Sequence, residues 1–442
     1  MNYAETLSYL LSLGHETIAL KLGLKNIQLL LNKLGNPHQA FTIVQIAGTN
    51  GKGSTAAMLD AICTAAGVRS GLYTSPHLTS ITERIRTSSQ DISAHEFAEY
   101  ATQVRAASEE LLSSSLIAAL PTFFEQITAI ALLAFRQNEI DVAILETGMG
   151  GRLDATSAAG AAIVGITQIA LDHEEHLGQT VTSIALEKAA IIRPSVSTVL
   201  AQQEHEVMAV LLEQCIRSDV KPNVVGDNAS IDVVSETGGR FVVSFTTTKA
   251  KYKGVNLALR GRHQLSNAAL ALALAEELAC RGFPITPEAI ISGLEVVRHP
   301  GRLELFDARP RYLLDGAHNT AGSLALREYL DEYERGEVTL IFGAMREKRL
   351  HEMAQVLFPA ARKVILTKPD SPRAASMDVL REIALDVVAG HKVCCAPDPL
   401  AALELAKTCT AADGLICVTG SLYLVGELRA GIETEAGKNG KR

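Results

Sequence analysis

The chain has 442 residues, 47% hydrophobic and 20% charged, and carries a net charge of −8. At roughly 150 residues per domain this length calls for two or three domains, and the acidic balance excludes a general nucleic-acid or membrane surface, so any anionic substrate needs a locally basic site. Seven cysteines, an odd number with no C-x-x-C spacing, fit reduced thiols in a cytoplasm better than a disulfide frame or a zinc site.

The N-terminus, MNYAETLSYLLSLGHETIAL, has an early acid and no basic stretch before its apolar residues, so it does not read as a signal peptide. Nor is any apolar run long enough to span a bilayer, which needs roughly 18 residues or more. The expectation is a cytoplasmic α/β protein.

FTIVQIA (41–47) reads as a buried strand, and it empties into GTNGKGS (48–54) and the helical STAAMLDAICTAAG. A strand, a glycine-rich turn and a helix N-terminus together make a phosphate cradle, because backbone N–H groups and the helix dipole face the anion. Lys52 would reach the outer phosphates, and Ser54 or Thr55 would bond a phosphate or its metal. The loop departs from the strict Walker pattern: two residues, not four, separate Gly48 from Gly51, and Gly53 follows Lys52. A tight strand–helix turn without a ligand is the plain alternative.

DVAILE (141–146), AAIVGIT (161–167) and TVLAQ (198–202) are further strands, while QITAIALLAFRQ and VTSIALEKAAII have helical spacing. Such alternation predicts a mainly parallel sheet covered on both faces. Glu146 closes one strand and is followed by a second glycine loop, GMGGRLDATS. Asp172 and His173 in LDHEEHL follow another in a loop, and His173 is expected to share a sheet edge with Lys52 and Glu146. Lys188, among apolar neighbours, snorkels to solvent or, if buried, becomes a neutral amine able to take up carbon dioxide as a carbamate.

From Val224 to Leu259 short alternating strands with GG and KG turns predict antiparallel hairpins. HQLSNAALALALAEELAC and PITPEAIISGLEVV are helices, and the pattern breaks at VRHPGRLELF. Strand–helix units then restart with RYLLDGAHN, EVTLIFGAM, KVILTKP, HKVCCAP and LICVTGS. The expected division is 1–298 for the nucleotide-binding part with the hairpins, 299–430 for a smaller Rossmann-like domain, and 431–442 for a disordered tail.

In order along the chain stand GTNGKGS, YTSPHL, PTFFE, ETGMGGRLDATS, LDHEEHLG, EKAAII, GRHQLSNAALA, PGRLE and DGAHN. Together they resemble the dihydrofolate synthase/folylpolyglutamate synthase family of the Mur ligase superfamily, over nearly the whole chain. The resemblance implies a P-loop ATPase domain plus a C-terminal Rossmann-like domain, with ATP between them. It also implies an ATP-dependent ligase that adds L-glutamate to dihydropteroate and to folates through an acyl phosphate. Carried over residue by residue, Ser75, Glu146 and His173 are expected to hold magnesium. Lys188 matches a carbamylated lysine (N6-carboxylysine) that would serve a second ion, and Lys52, Lys188 and His318 form the catalytic set. ATP would be bound by Asn50, Gly51, Lys52, Gly53, Ser54, Asn267, Arg302 and Asp315. The pterin pocket would be built from Thr122, Phe123, Phe124, Glu125, Leu153 and Asp154, with KLGL (21–24) as a further wall.

Several of these have plainer readings: paired aromatics as core, Asp315 as a helix cap, Arg302 as a linker charge. Rival functions are a polyglutamate synthase alone, a cell-wall ligase of the same superfamily, and a non-catalytic nucleotide switch. With only about 40 residues before the glycine loop, a nucleotide-sugar domain is not expected there. The residues after the paired glycines, RLDATS, resemble the bifunctional bacterial type. Small molecules are the expected partners, with no nucleic acid and no membrane, and the chain is expected to act as a monomer.

Overall fold

A computed structural model describes residues 1–14, 23–227 and 230–439. Its largest sheet has eight strands, in the spatial order Gln90–Asp91, Ile85–Thr87, Ser70–Tyr73, Val142–Glu146, Thr42–Ala47, Ile163–Ile166, Ser197–Leu200 and Asn223–Val224. From Ser70–Tyr73 onward neighbours pair in parallel, while the two strands at the first edge are antiparallel.

The central strands are buried on both faces, which is why their sequences run apolar without a polar stripe. Val44, Ile46, Val142 and Ile144 face a core shared with helices Lys52–Ala65 and His263–Cys280. Ile43, Ala143 and Leu145 face the opposite core, formed largely by Ala94–Ser113 and Phe123–Gln137.

Chain direction decides where a ligand can sit. From Thr42–Ala47 the chain moves to Ser70–Tyr73 on one side, returns through Val142–Glu146, and then crosses to Ile163–Ile166 on the other. The crevice beyond the carboxyl ends of these strands is therefore a topological switch point. The loops after Ala47, Glu146 and Ile166 all open there.

Ser230–Thr237, Arg240–Thr246 and Lys251–Asn256 form a separate antiparallel sheet, as the alternating pattern predicts. Beyond residue 300 a six-stranded sheet begins with Glu304–Phe306, antiparallel to Arg311–Leu314. It continues in parallel through Leu415–Thr419, Val338–Phe342, Lys363–Leu366 and Val393–Cys395. Apolar cores lie on both of its faces.

One expectation is corrected. The tail expected to be disordered from residue 431 instead continues the helix Leu422–Asn439. Ile432 is fully buried in the second sheet's core, and Tyr312 donates a hydrogen bond to Glu435 at 2.9 Å. Those two contacts supply the tertiary packing that a polar helix end lacks on propensity alone. No described helix is long and apolar enough to cross a membrane.

Candidate active site

Gly48 leaves the central strand at φ 144° and Gly51 precedes the helix at φ 90°, both in the region that favours glycine. Packing enforces the same choice. A Cβ on Gly48 would lie 1.8 Å from Thr167 Oγ1, and one on Gly51 would lie 2.2 Å from Asn267 Oδ1. Among the described residues no side chain caps the helix that starts at Lys52, and the whole loop from Gly48 to Ser54 lines a cavity of about 710 Å³. Thr55, the alternative hydroxyl, points elsewhere: it is fully buried and its Oγ1 has no partner among the described atoms.

The same cavity collects residues far apart in sequence. Ser75, Glu146, His173, Lys188, Asn267, Arg302, Asp315 and His318 all line it. Glu146 is buried; desolvation raises its pKa, opposed by the Lys52 charge and by a 3.2 Å hydrogen bond from the Ser75 backbone N–H. Burial conversely lowers the pKa of Lys52, whose Nζ donates to the Thr49 carbonyl at 3.0 Å. His173 adopts φ 51°, and burial, with help from the Lys348 charge, pushes it down to about 3. A neutral imidazole is the form that ligates a metal.

Lys188 is buried. Its Nζ donates to the Gly48 carbonyl at 2.6 Å, and desolvation followed by the Lys52 charge lowers its pKa to about 7. Of the two readings open at this lysine, snorkelling to solvent is therefore excluded.

Asp172 joins the two halves. Its Oδ1 is 2.5 Å from Lys348 Nζ, its Oδ2 accepts from Asn319 at 3.1 Å, and His318 Nε2 stands 3.5 Å away. Burial alone would raise its pKa, but His318, Lys348 and His173 together hold the carboxyl far below its usual range. Asn319 also exchanges hydrogen bonds with Asn50 at 3.3 and 3.0 Å. His318 donates through Nδ1 to the Gly316 carbonyl at 2.8 Å, which leaves Nε2 directed at Asp172. Asp315 lines the cavity, yet both its oxygens accept backbone N–H groups, from Leu303 and Ala317, at 2.9 Å each.

Through Ser75, Gly148, His173 and His318 this cavity continues into a second one of about 490 Å³. Thr122, Phe124, Glu125, Leu153 and Asp154 line it, with Gly23, Leu24 and Ile27 as an apolar wall. Of the KLGL stretch, Lys21 and Leu22 lie outside the described residues. Phe123 departs from its expected place: it packs in the core with its ring under Arg84, 5.6 Å from the guanidinium carbon. It opens the helix that Thr122 caps, and adjacent positions on a helix point about 100° apart, so only one of the two aromatics reaches the cavity. Thr122 and Glu125 spend polar atoms on a capping box, with Thr122 N–H to Glu125 at 2.8 Å and Glu125 N–H to Thr122 at 3.3 Å. Asp154 likewise braces the second glycine loop, accepting from Met149 N–H at 3.0 Å.

Among the described residues no group of three or more His, Cys, Asp or Glu side chains stands ready to hold a metal. Ser75, Glu146 and His173 still offer a hydroxyl, a buried carboxylate and a neutral imidazole at one mouth, a donor set that suits a hard divalent cation completed by phosphate or water.

Asp172, Lys348 and Asn319 were not singled out as site residues from sequence. Asp172 adjoins a candidate histidine and Asn319 closes DGAHN, so both had a positional signal; Lys348, within the charged run REKR, had none.

Comparison with known proteins bears directly on this arrangement. The Mur ligase middle domain matches residues 46–275, and the Mur ligase glutamate ligase domain matches 301–422. A Bacillus subtilis protein named dihydrofolate synthase/folylpolyglutamate synthase is 32% identical over 94% of this chain and 96% of its own length. The chain belongs to the dihydrofolate synthase/folylpolyglutamate synthase family of Mur ligases. Among solved structures, Mycobacterium tuberculosis folylpolyglutamate synthase complexed with ADP superposes with a TM-score of 0.90 at 30% identity, covering 97% of this chain and 98% of that one. Escherichia coli FolC in complex with DHPP and ADP gives 0.86 at 28% identity, covering 98% of each. A Haloferax volcanii relative, named a probable bifunctional folylpolyglutamate synthase/dihydropteroate synthase, is 35% identical over 97% of this chain. This chain spans about half of that relative's length.

Proposed function

We propose that this ligase uses ATP to join L-glutamate by an amide bond to dihydropteroate and to folates. The observation that carries this reading is the junction of the two cavities: a glycine-loop cavity of nucleotide size opens into a largely apolar one at Ser75, Gly148, His173 and His318. ATP in the first and a pterin in the second would bring a γ-phosphate and a carboxylate together at that junction. The ADP and DHPP of the E. coli structure support the assignment of contents.

A carboxylate does not react with an amine in water, because its carbonyl is a poor electrophile. Attack of the carboxylate oxygen on the γ-phosphorus forms an acyl phosphate and releases ADP. The glutamate nitrogen then attacks the acyl carbon, phosphate leaves with the bonding electrons, and the nitrogen sheds a proton. Lys52 would hold charge on the transferring group, and the loop N–H groups would orient it. Ser75, Glu146 and His173 would hold magnesium, with carbamylated Lys188 for a second ion, to neutralise phosphate charge. Phe124 would pack against the aromatic substrate, while His318 and Asn319, arriving from the second sheet, would close the junction against water.

Mass analysis of reactions with Mg-ATP, glutamate and either dihydropteroate or tetrahydrofolate tests this reading. Dihydrofolate from the first and glutamate added to the second are expected. Addition only to tetrahydrofolate would restrict the enzyme to polyglutamate synthesis. No product from either, with ATP bound, would favour a nucleotide switch.

A further inference from the structure

Ser54, the hydroxyl residue of the glycine loop, is held from behind. It is buried, and its Oγ lies 3.1 Å from His299 Nδ1 and accepts from Gln264 Nε2 at 3.3 Å. The Gln264 amide has little choice of orientation. Its Oε1 accepts from Asn267 at 2.9 Å, which turns Nε2 toward Ser54 and toward His263 Nε2 at 3.1 Å. Gln264 and Asn267 both line the glycine-loop cavity, whereas His299 is not among the lining residues. Its hydrogen bond toward the cavity runs through Ser54.

His299 comes from an informative place in the chain. It lies between the helix Pro287–Val296 and the strand Glu304–Phe306, in the passage from the first part of the molecule to the second sheet. Its ring occupies space that a side chain at residue 53 would need: a Cβ on Gly53 would meet His299 Cε1 at 3.0 Å. The glycine after Lys52, the position that broke the Walker pattern, thus gives the imidazole access to the loop.

We propose that His299 is a positioning residue for the nucleotide: with its proton on Nδ1 it donates to Ser54 Oγ, as Gln264 does, fixing the rotamer in which the serine O–H is left to donate to a phosphate oxygen. An unrestrained serine hydroxyl has three staggered rotamers and a freely rotating proton. Two partners converging from different elements remove that freedom before the nucleotide arrives, which lowers the ordering cost of binding. The same bond ties the inter-sheet passage to the phosphate loop, so displacing one from the other would release the hydroxyl. The inference rests on the proposal that this loop binds ATP.

The test exploits the two ring nitrogens. Asn at position 299 places a hydrogen-bonding atom near Nδ1, Gln places one near Nε2, and Ala removes both. Binding of Mg-ATP by calorimetry, KM values for Mg-ATP and for the folate acceptor, and melting temperature are measured for His299→Ala, His299→Gln, His299→Asn and Ser54→Ala, and for the Ser54→Ala/His299→Ala double variant. Loss of one hydrogen bond predicts Mg-ATP binding weakened about five- to tenfold in His299→Ala and His299→Gln. The acceptor KM and the melting temperature stay unchanged, and His299→Asn stays within about twofold of the parent. In the Ser54→Ala background, removing His299 adds nothing, because the two residues act as one unit. Unaltered Mg-ATP binding in His299→Ala, or losses that add in the double variant, would overturn the proposal. A drop in melting temperature shared by all three His299 variants would reduce the residue to packing. If the parent protein itself fails to bind Mg-ATP, the nucleotide reading of the loop falls, and the positioning role falls with it.

Discussion

The amine of Lys188 donates a hydrogen bond to the carbonyl of Gly48 at 2.6 Å, so a buried lysine reaches the first glycine of the loop that follows the central strand. With burial lowering its pKa to about 7, roughly half of these amines are neutral at pH 7, against about one in three thousand for a lysine at its ordinary value. Only the neutral amine adds carbon dioxide. Protein equilibrated with 13C-bicarbonate is expected to show a carbamate carbon resonance that Lys188→Met lacks. Activity is expected to fall reversibly when carbon dioxide is stripped below pH 7.

The same shift fixes a pH dependence of stability. Between about 7 and the ordinary 10.5 the unfolded chain holds a proton that folded Lys188 does not. Stability contributed at this site therefore rises with pH across that window and is flat below it. In carbon-dioxide-free buffer, Lys188→Met is expected to melt above the parent at pH 7, with the gap closing toward pH 10. A constant gap would mean that the lysine titrates normally.

Asp172 and Lys348 are both largely buried and 2.5 Å apart, one from each half of the molecule. Removing one partner strands the other charge, a loss on the order of 3–5 kcal/mol. Asp172→Asn is expected to lower the melting temperature, and Asp172→Asn with Lys348→Met to recover part of the loss. Since the folded carboxyl is held below its ordinary pKa, the pair contributes fully above about pH 4 and fades as pH drops below it. Denaturant titrations at pH 3 and pH 7 would show the variant's deficit shrinking at the lower pH.

Much of this was written in the sequence, and the parts that were not have a common cause. Strands such as DVAILE and helices such as HQLSNAALALALAEELAC were legible because their period and length speak for themselves, and the second of these spans the same residues, His263–Cys280, in the structure. The glycine loop was legible because phosphate cradles demand small residues in a fixed local order. Asp172–Lys348, 176 positions apart, left no local trace, since a long-range ion pair requires only that two ordinary surface-type residues meet. The terminal helix was misread for a related reason: the partners of Ile432 and Glu435 lie in the sheet beneath, not nearby in the chain.

Phe123 and Phe124 are neighbours that sequence treats alike and the fold separates. Phe123 is core, so Phe123→Ala is expected to cost about 3–5 kcal/mol in chemical denaturation. Phe124 lines the apolar cavity beside Gly148, where a Cβ would meet its ring at 2.5 Å. Phe124→Ala is expected to raise the acceptor KM at least tenfold, about 1.4 kcal/mol, leaving KM for Mg-ATP unchanged. Equal effects of Phe124→Ala on both KM values would argue that the cavity holds something other than the pterin.

Glu146 ends the strand beside the glycine loop; burial raises its pKa, opposed first by the Lys52 charge and then by the Ser75 N–H and the Arg302 and Arg84 charges. A buried carboxylate so placed gains most from a divalent cation at the mouth shared with Ser75 and His173. Glu146→Gln keeps the shape and an oxygen to accept the Ser75 N–H, while removing the charge. Turnover is expected to fall about a hundredfold or more, with the magnesium requirement shifted upward and ADP binding without metal retained. Chelation should abolish turnover in the parent, and added magnesium should restore it. Because the folded carboxyl titrates above its ordinary range, magnesium affinity should weaken on the acid side before an unperturbed glutamate would protonate. If Glu146→Gln requires no more magnesium than the parent, the metal is held elsewhere, and Glu146 serves chiefly to balance the charge of Lys52.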